Sequence, residues 1–206
     1  MAEQQKQQTQ TREQNLKGKK VAILVADGFE QVELTEPRKA LEDAGATTEL
    51  VSLEAGEIQG FDHLDHADRH KVDRTLDEVS AGDYDGLLIP GGVANGDFLR
   101  ADEGAVRFTA GFAEAHKPIA AICHAPWVLV EAGIVKGRTI TSFPSLQTDV
   151  RNAGGTWVDE EVHVDQGLVT SRRPDDIPAF SAKAIEEFCE GPHEDMPQPA
   201  GAATAS

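Results

Sequence analysis

The chain has 206 residues, 39% of them hydrophobic and 27% charged, a balance that fits one α/β domain plus tails, with a sizeable core that needs neither disulfides nor metal. Its formal net charge of −17, from 19 basic and 36 acidic residues, argues against general affinity for nucleic acid or anionic membrane. No apolar stretch is long enough to span a bilayer, the Gln-rich start has no signal core, and two cysteines are too few for a disulfide framework, so a cytoplasmic protein is expected.

Residues 1–18 and 191–206 are polar or rich in Gly, Ala and Pro without periodicity; they are expected as disordered tails around a domain spanning 19–190. The apolar run 20–26 predicts a buried strand closed by Asp27-Gly28. A helix follows over 32–44, with its regular part starting near Glu36 because Pro37 is tolerated only near a first turn, and Gly45 ends it. Residues 48–53 read as the second strand, and the charged, histidine-dense stretch 56–73 as a hairpin-like excursion. A further buried strand over 84–89 is closed by Pro90-Gly91-Gly92, and a helix is expected over 104–115. The strand 118–122 stops at Cys123-His124-Ala125-Pro126, where a helical pattern opens with Trp127. A strand over 138–142, a helix over 145–153, short strands at 156–158, 162–164 and 168–171, and an amphipathic helix over 177–189 complete the pattern. Buried strands separated by helices require right-handed crossovers, hence an α/β fold with a mostly parallel central sheet covered on both faces.

In such sheets, sites form beyond the carboxyl ends of the strands. Three ends qualify: Asp27-Gly28-Phe29-Glu30, Pro90-Gly91-Gly92 and Ile122-Cys123-His124. A thiol and an imidazole on a strand-to-helix turn can be lifted clear of the sheet, with free backbone N–H groups ready to face an oxyanion or favour a thiolate. Cys123 at the end of the apolar run, rather than inside it, reads as a nucleophile more readily than as a core thiol. His124 is either its proton partner or a core imidazole. Glu30 is an exposed loop carboxylate, or a partly desolvated acid donating a hydrogen bond to the sulfur. Asp97 is a helix or turn residue, or the group that orients the imidazole.

Other clusters carry less. His63, His66 and His70 with Asp62, Asp65 and Asp68 resemble a metal cluster by composition, but no tight ligand motif is present and a polar hairpin accounts for them. Cys189 reads as packing in the last helix. Gly91-Gly92 lacks the remaining glycines and lysine of a phosphate loop, so no cofactor and no metal are expected.

Ala120-Ala121-Ile122-Cys123-His124-Ala125-Pro126, Ile89-Pro90-Gly91-Gly92, Asp27-Gly28-Phe29-Glu30 with Val32-Glu33-Leu34, and the stretch from Thr170 to Phe180 together resemble the ThiJ/PfpI superfamily in its intracellular-protease (PfpI) branch. The resemblance covers residues 19–188. It implies a flavodoxin-like three-layer α/β sandwich, similar to class I glutamine amidotransferase domains, with Cys123 as nucleophile on a strained elbow. It matches Glu30 to the glutamate that hydrogen-bonds the cysteine and His124 to the catalytic histidine. Asp97 matches the acid that completes a triad, often across a subunit interface, and the backbone N–H groups of Gly92 and His124 match the oxyanion hole. Ala125 stands where the family usually has Gly, and Phe143-Pro144 where another branch has a histidine before the proline. The function implied is a cysteine-nucleophile enzyme acting on carbonyl substrates, as a peptidase or amidase, or as a glyoxalase or protein deglycase in the stress response. The substrate would then be a small aldehyde, a glycated group or a peptide, and the enzyme a homodimer or larger homo-oligomer. A redox-sensing or chaperone-like stress protein that uses Cys123 oxidation with little turnover is the alternative.

Overall fold

The computed structural model describes residues 15–194 and Pro199. The centre is a seven-stranded sheet ordered β11-β12-β8-β7-β1-β3-β6. In chain order these strands are β1 (Lys20–Leu24), β3 (Thr47–Ser52), β6 (Arg74–Thr75), β7 (Gly86–Ile89), β8 (Ile119–Ile122), β11 (Val162–Asp165) and β12 (Leu168–Ser171). All neighbours pair parallel except β11, which runs antiparallel to β12. The order steps outward in both directions from β1, the flavodoxin-like arrangement in which the crevice opens at the strand ends where the order reverses.

Period-two alternation explains the layers. Ala22, Leu24, Leu87, Ile89 and Ala121 face one side, where they meet helices α2 (Val93–Ala101), α3 (Glu103–Glu114) and α4 (Pro126–Glu131) through Leu99, Phe108, Phe112 and Val128. Val21, Ile23, Leu88, Ala120 and Ile122 face the other side, against α1 (Gln31–Asp43) and a C-terminal helix at Ile177–Glu190, numbered α6 below, through Leu34, Leu41, Phe180 and Phe188. A short helix α5 (Gln147–Asn152) and the parallel pair β9 (Thr139–Ile140) and β10 (Thr156–Trp157) lie between β8 and β11 in sequence. The excursion expected over 56–73 is an antiparallel hairpin, β4 (Glu57–Asp62) with β5 (Asp65–Lys71), and β4 pairs with the two-residue β2 (Phe29–Glu30).

Three boundaries differ from expectation. Helix α1 begins at Gln31, not near Glu36, so Pro37 sits inside it; the lost hydrogen bond falls on the carbonyl of Glu33, one turn from the helix start, where disruption is smallest. Helix α2 is absent from the sequence reading because Asn95-Gly96 interrupts it, and tertiary packing overrides that weak propensity. Ordered packing also begins before residue 19: Leu16 is fully buried and donates its N–H to the Ala44 carbonyl. At the other end, His193 is paired with Glu187. The rest of the expected tails, residues 1–14 and 195–206 apart from Pro199, lies outside the described residues. Among the described residues no helix is long and apolar enough to cross a membrane.

Candidate active site

The elbow follows from how β8 ends. The N–H of Cys123 still bonds the Ser171 carbonyl of the neighbouring strand (3.0 Å), and its carbonyl accepts the Phe143 N–H (2.8 Å). Its φ is +62°, a conformation that costs a non-glycine residue about 1–3 kcal/mol and persists only where surrounding bonds enforce it. Pro126, the first residue of α4, has its φ fixed for a helix and closes the turn immediately. The thiol is left facing the crevice instead of the core.

Glycines at the end of β7 make the approach possible. A Cβ on Gly91 would stand 2.6 Å from Cys123 Cβ, and one on Gly92, at φ +95°, would stand 2.7 Å from the Glu30 nitrogen. No side chain fits at either position. The backbone N–H groups of Gly92 and His124 both face the Cys123 sulfur and favour its charged form.

The carboxyl beside the sulfur is Glu33, which corrects the assignment of Glu30. Glu33 is fully buried, accepts the Gly91 N–H at 2.9 Å on Oε2, leaves Oε1 without a hydrogen bond, and sits beside the Cys123 thiol, close enough for the two groups to shift each other's protonation. Glu30 lies three residues earlier, at the end of β2, and its carboxylate accepts the His63 N–H at 3.2 Å on the hairpin tip. The reason is helical phase: Glu33, Leu34, Pro37 and Leu41 form the inward stripe of α1, whereas Glu30 precedes the helix. Burial first, and the Glu30 charge second, push Glu33 up to about 8, so at neutral pH it carries a proton that it can donate to sulfur.

Burial also pushes the Cys123 thiol up, and a charged Glu33 would push it further. Carboxyl and thiol therefore titrate as a pair. Burial drives His124 the other way, down to about 4. The resting site thus holds a thiol and a neutral imidazole, not the thiolate expected from the elbow alone. His124 Nδ1 lies 3.2 Å from Sγ, the distance for a direct proton transfer.

Aromatic neighbours hold the imidazole. Its ring stacks on Phe143 (centroids 4.6 Å apart) and meets Trp127 edge-on at 5.3 Å, while Nε2 lies 3.4 Å from Ser145 Oγ. Asp97, expected to orient His124, is exposed on α2, and among the described residues it makes no hydrogen bond to the imidazole and no ion pair. The polar residue that α2 does place inward is Asn95, which sequence reasoning passed over. Asn95 is fully buried, donates to the Pro90 and Gly91 carbonyls (2.7 and 3.1 Å) and accepts the Ala26 N–H (2.7 Å), so it ties the ends of β1 and β7 together.

Above the thiol is a cavity of about 390 Å³ walled by Phe61, Leu64, Val93, Phe143 and Pro174, with Glu30, Glu33, His63, Cys123 and His124 as its polar groups. Glu30, Asp62 and His63 bring donor atoms within 4.8 Å of one another at its mouth; His66 and His70 are not part of that group. Phe61 and His63 belong to the hairpin, and sequence reasoning missed them as walls because only tertiary structure carries β4 to the strand ends.

Comparison with known proteins agrees with this geometry. YraA of Bacillus subtilis, which carries a provisional cysteine-protease name, is 44% identical over 168 residues, covering 81% of this chain and 96% of that protein. Protein/nucleic acid deglycase 2 of Escherichia coli is 40% identical over 169 residues, covering 81% and 96%. Among solved structures, a two-domain protein of Anabaena variabilis with DJ-1/ThiJ/PfpI-like and ferritin-like domains superposes with a TM-score of 0.78 at 32% identity; 82% of this chain matches 48% of that one. The DJ-1/PfpI family profile covers residues 19–187, and the chain belongs to the DJ-1/PfpI family.

Proposed function

We propose that the protein is a cysteine-dependent hydrolase that acts on small carbonyl adducts, in the manner of a glyoxalase or deglycase. The observation that carries this reading is Cys123 at φ +62° with its sulfur 3.2 Å from His124 Nδ1 and facing two backbone N–H groups. Attack forms a bond from Sγ to the carbonyl carbon and moves the π pair onto oxygen, which the Gly92 and His124 N–H groups hold. The thiol proton passes to His124 Nδ1 in the same step, because a raised thiol and a depressed imidazole disfavour separated charges beforehand. Protonated Glu33 supports the sulfur without adding charge. His124 returns its proton to the oxyanion. For a 2-oxoaldehyde the proton on the former aldehyde carbon then moves through an enediol to the neighbouring carbonyl carbon, leaving a thioester, and water attacks the thioester carbonyl, breaks its bond to Sγ and releases a 2-hydroxy acid and the Cys123 thiol.

The size and lining of the cavity favour this class over peptidase action. A space of about 390 Å³ with mostly apolar walls lies near the lower end for small-molecule sites, roughly 300–1,000 Å³. It accommodates an aldehyde or one modified side chain more readily than an extended peptide. The deglycase name of the Escherichia coli relative points the same way. Assembly is part of the proposal: Leu64, Val93, Phe98 and Phe143 are exposed apolar groups, three of them at the cavity mouth, and a second copy is proposed to cover them, with Asp97, the exposed neighbour of Phe98, as the acid it supplies to His124.

A panel of methylglyoxal, a glycated thiol, a glycated amine and fluorogenic peptides, run with Cys123→Ser, tests the reading. Turnover of the aldehyde or glycated substrates that disappears in the variant is expected. Turnover of peptides alone would transfer the assignment to peptidase, and stoichiometric oxidation of Cys123 without turnover would transfer it to redox sensing.

A further inference from the structure

At the far end of α6 (Ile177–Glu190), where the family match ends at residue 187, a second cluster forms from Glu187, Glu190 and His193. Gly191 ends the helix at φ +84° and its N–H bonds the Glu187 carbonyl (3.0 Å), which turns the chain back on the helix. His193 is then fixed by its own backbone: its N–H bonds the His116 carbonyl at 2.8 Å, and its carbonyl lies 3.2 Å from His116 Nδ1. The imidazole is thereby returned to the last helical turn. Its Nε2 stands 3.0 Å from Glu187 Oε2 and 4.0 Å from Glu190 Oε2.

Three observations make this cluster unlike an ordinary surface pair. Glu187 is buried, at 6% exposure, and Oε2 makes no hydrogen bond; neither does His193 Nε2, although the two atoms are 3.0 Å apart. Next, the turn is acidic where acid is least favourable. Glu186, Glu187 and Glu190 sit at a helix C-terminus, which repels negative charge, and the last turn holds no basic residue. Lys183 is engaged with Glu186 at 2.7 Å. Finally, ligands at about 2.0–2.2 Å from a tetrahedral Zn²⁺ lie roughly 3.3–3.5 Å from one another, and the 3.0 and 4.0 Å separations bracket that spacing.

We propose that Glu187, Glu190 and His193 form a structural zinc site that clips the segment after α6 onto the helix. One imidazole and two carboxylates form a donor set suited to a borderline divalent ion, and not to Mg²⁺ or Ca²⁺, which select oxygen. The ion neutralises the acidic turn and gives Glu187 Oε2, which His193 meets at 3.0 Å without a hydrogen bond, a ligand bond. Its place is remote in sequence and in the fold from Cys123, so it takes no part in the chemistry at the elbow.

Isothermal titration of ZnCl₂ into chelator-treated full-length protein tests the assignment, with CoCl₂ as an optical probe. Wild type is expected to bind one Zn²⁺ that a large excess of MgCl₂ does not displace, and to show visible Co²⁺ bands of a nitrogen- and oxygen-ligated ion. His193→Ala and Glu190→Gln, both solvent-accessible, should weaken Zn²⁺ at least about tenfold, since even outer-shell changes at metal sites cost about 10–100-fold. His63→Ala should leave binding unchanged. Equal affinity in wild type and His193→Ala, displacement by Mg²⁺, or loss of binding in His63→Ala would each overturn the proposal, the last by moving the ion to the crevice mouth.

Discussion

Glu33→Gln is the substitution with the most specific consequence. The native fold holds Glu33 neutral, with its pKa raised from 4.5 to about 8 by burial and by Glu30. Between those values the unfolded chain has lost the proton and the native chain has kept it, so the native state binds more protons and stability falls as pH rises. By pH 7 this amounts to roughly 3 kcal/mol, and by pH 8 and above to about 5 kcal/mol. Glutamine keeps the acceptor for the Gly91 N–H and a donor for sulfur, and it has no proton to lose. Glu33→Gln should therefore melt higher than wild type at pH 7, by roughly 6–12 °C for a chain of this size, with the gap closing toward pH 4.5. His124, depressed to about 4, works oppositely: its contribution is lost as pH falls from 6.5 through 4, so the difference between the two proteins, and not either curve alone, isolates Glu33. Differential scanning calorimetry from pH 4.5 to 8.5 reads that difference. Activity of the variant should persist at alkaline pH where wild type declines. A difference that does not change with pH, or a variant that melts lower at pH 7 with an unchanged circular dichroism spectrum, would refute the claim that Glu33 is neutral.

Removing the proton acceptor, His124→Ala should lower turnover at least about 10²-fold while the fold survives, as steady-state kinetics and circular dichroism together will show. At Gly92, alanine would place Cβ 2.7 Å from the Glu30 nitrogen at φ +95°; a loss of about 1–3 kcal/mol in stability and of most activity is expected from urea titration and kinetics on the same sample. For assembly, sedimentation across a dilution series with parallel assays should show activity declining as the oligomer dissociates. A fully active monomer excludes a shared site, and an active Asp97→Ala oligomer shows that Asp97 is not its acid.

Much of the fold was legible because it rests on local signals. The runs 21–26, 86–89 and 119–122 are continuously apolar, which only strands buried on both faces require, and they carry β1, β7 and β8. What escaped depends on contacts distant in sequence. Helix α2 contains Asn95-Gly96, a turn signal by composition, yet Asn95 is inward because it supplies bonds to Pro90, Gly91 and Ala26 that those strand ends lack. The hairpin was visible as a polar excursion, but its contribution of Phe61, His63 and Leu64 to the cavity wall depends on β4 pairing with β2.

The two glutamates show where pattern reading could have gone further. Glu30 attracted attention because it directly follows a strand-end motif, yet a residue that ends a short strand points wherever that strand's pairing sends it, here toward His63. Glu33 carried a periodic signal: with Leu34, Pro37 and Leu41 it completes an apolar face at helical spacing. A glutamate on such a face is anomalous, since ionised carboxylates are almost never buried without a partner. The anomaly is itself the functional clue. A protein retains a buried acid at a helix position suited to Leu only where the neutral form has work to do, and the groups within its reach are the Gly91 N–H and the thiol of Cys123. The helix thus fixes protonation as well as position: moved one turn toward solvent, the same carboxyl would ionise and oppose the negative charge that develops on sulfur and oxygen during attack.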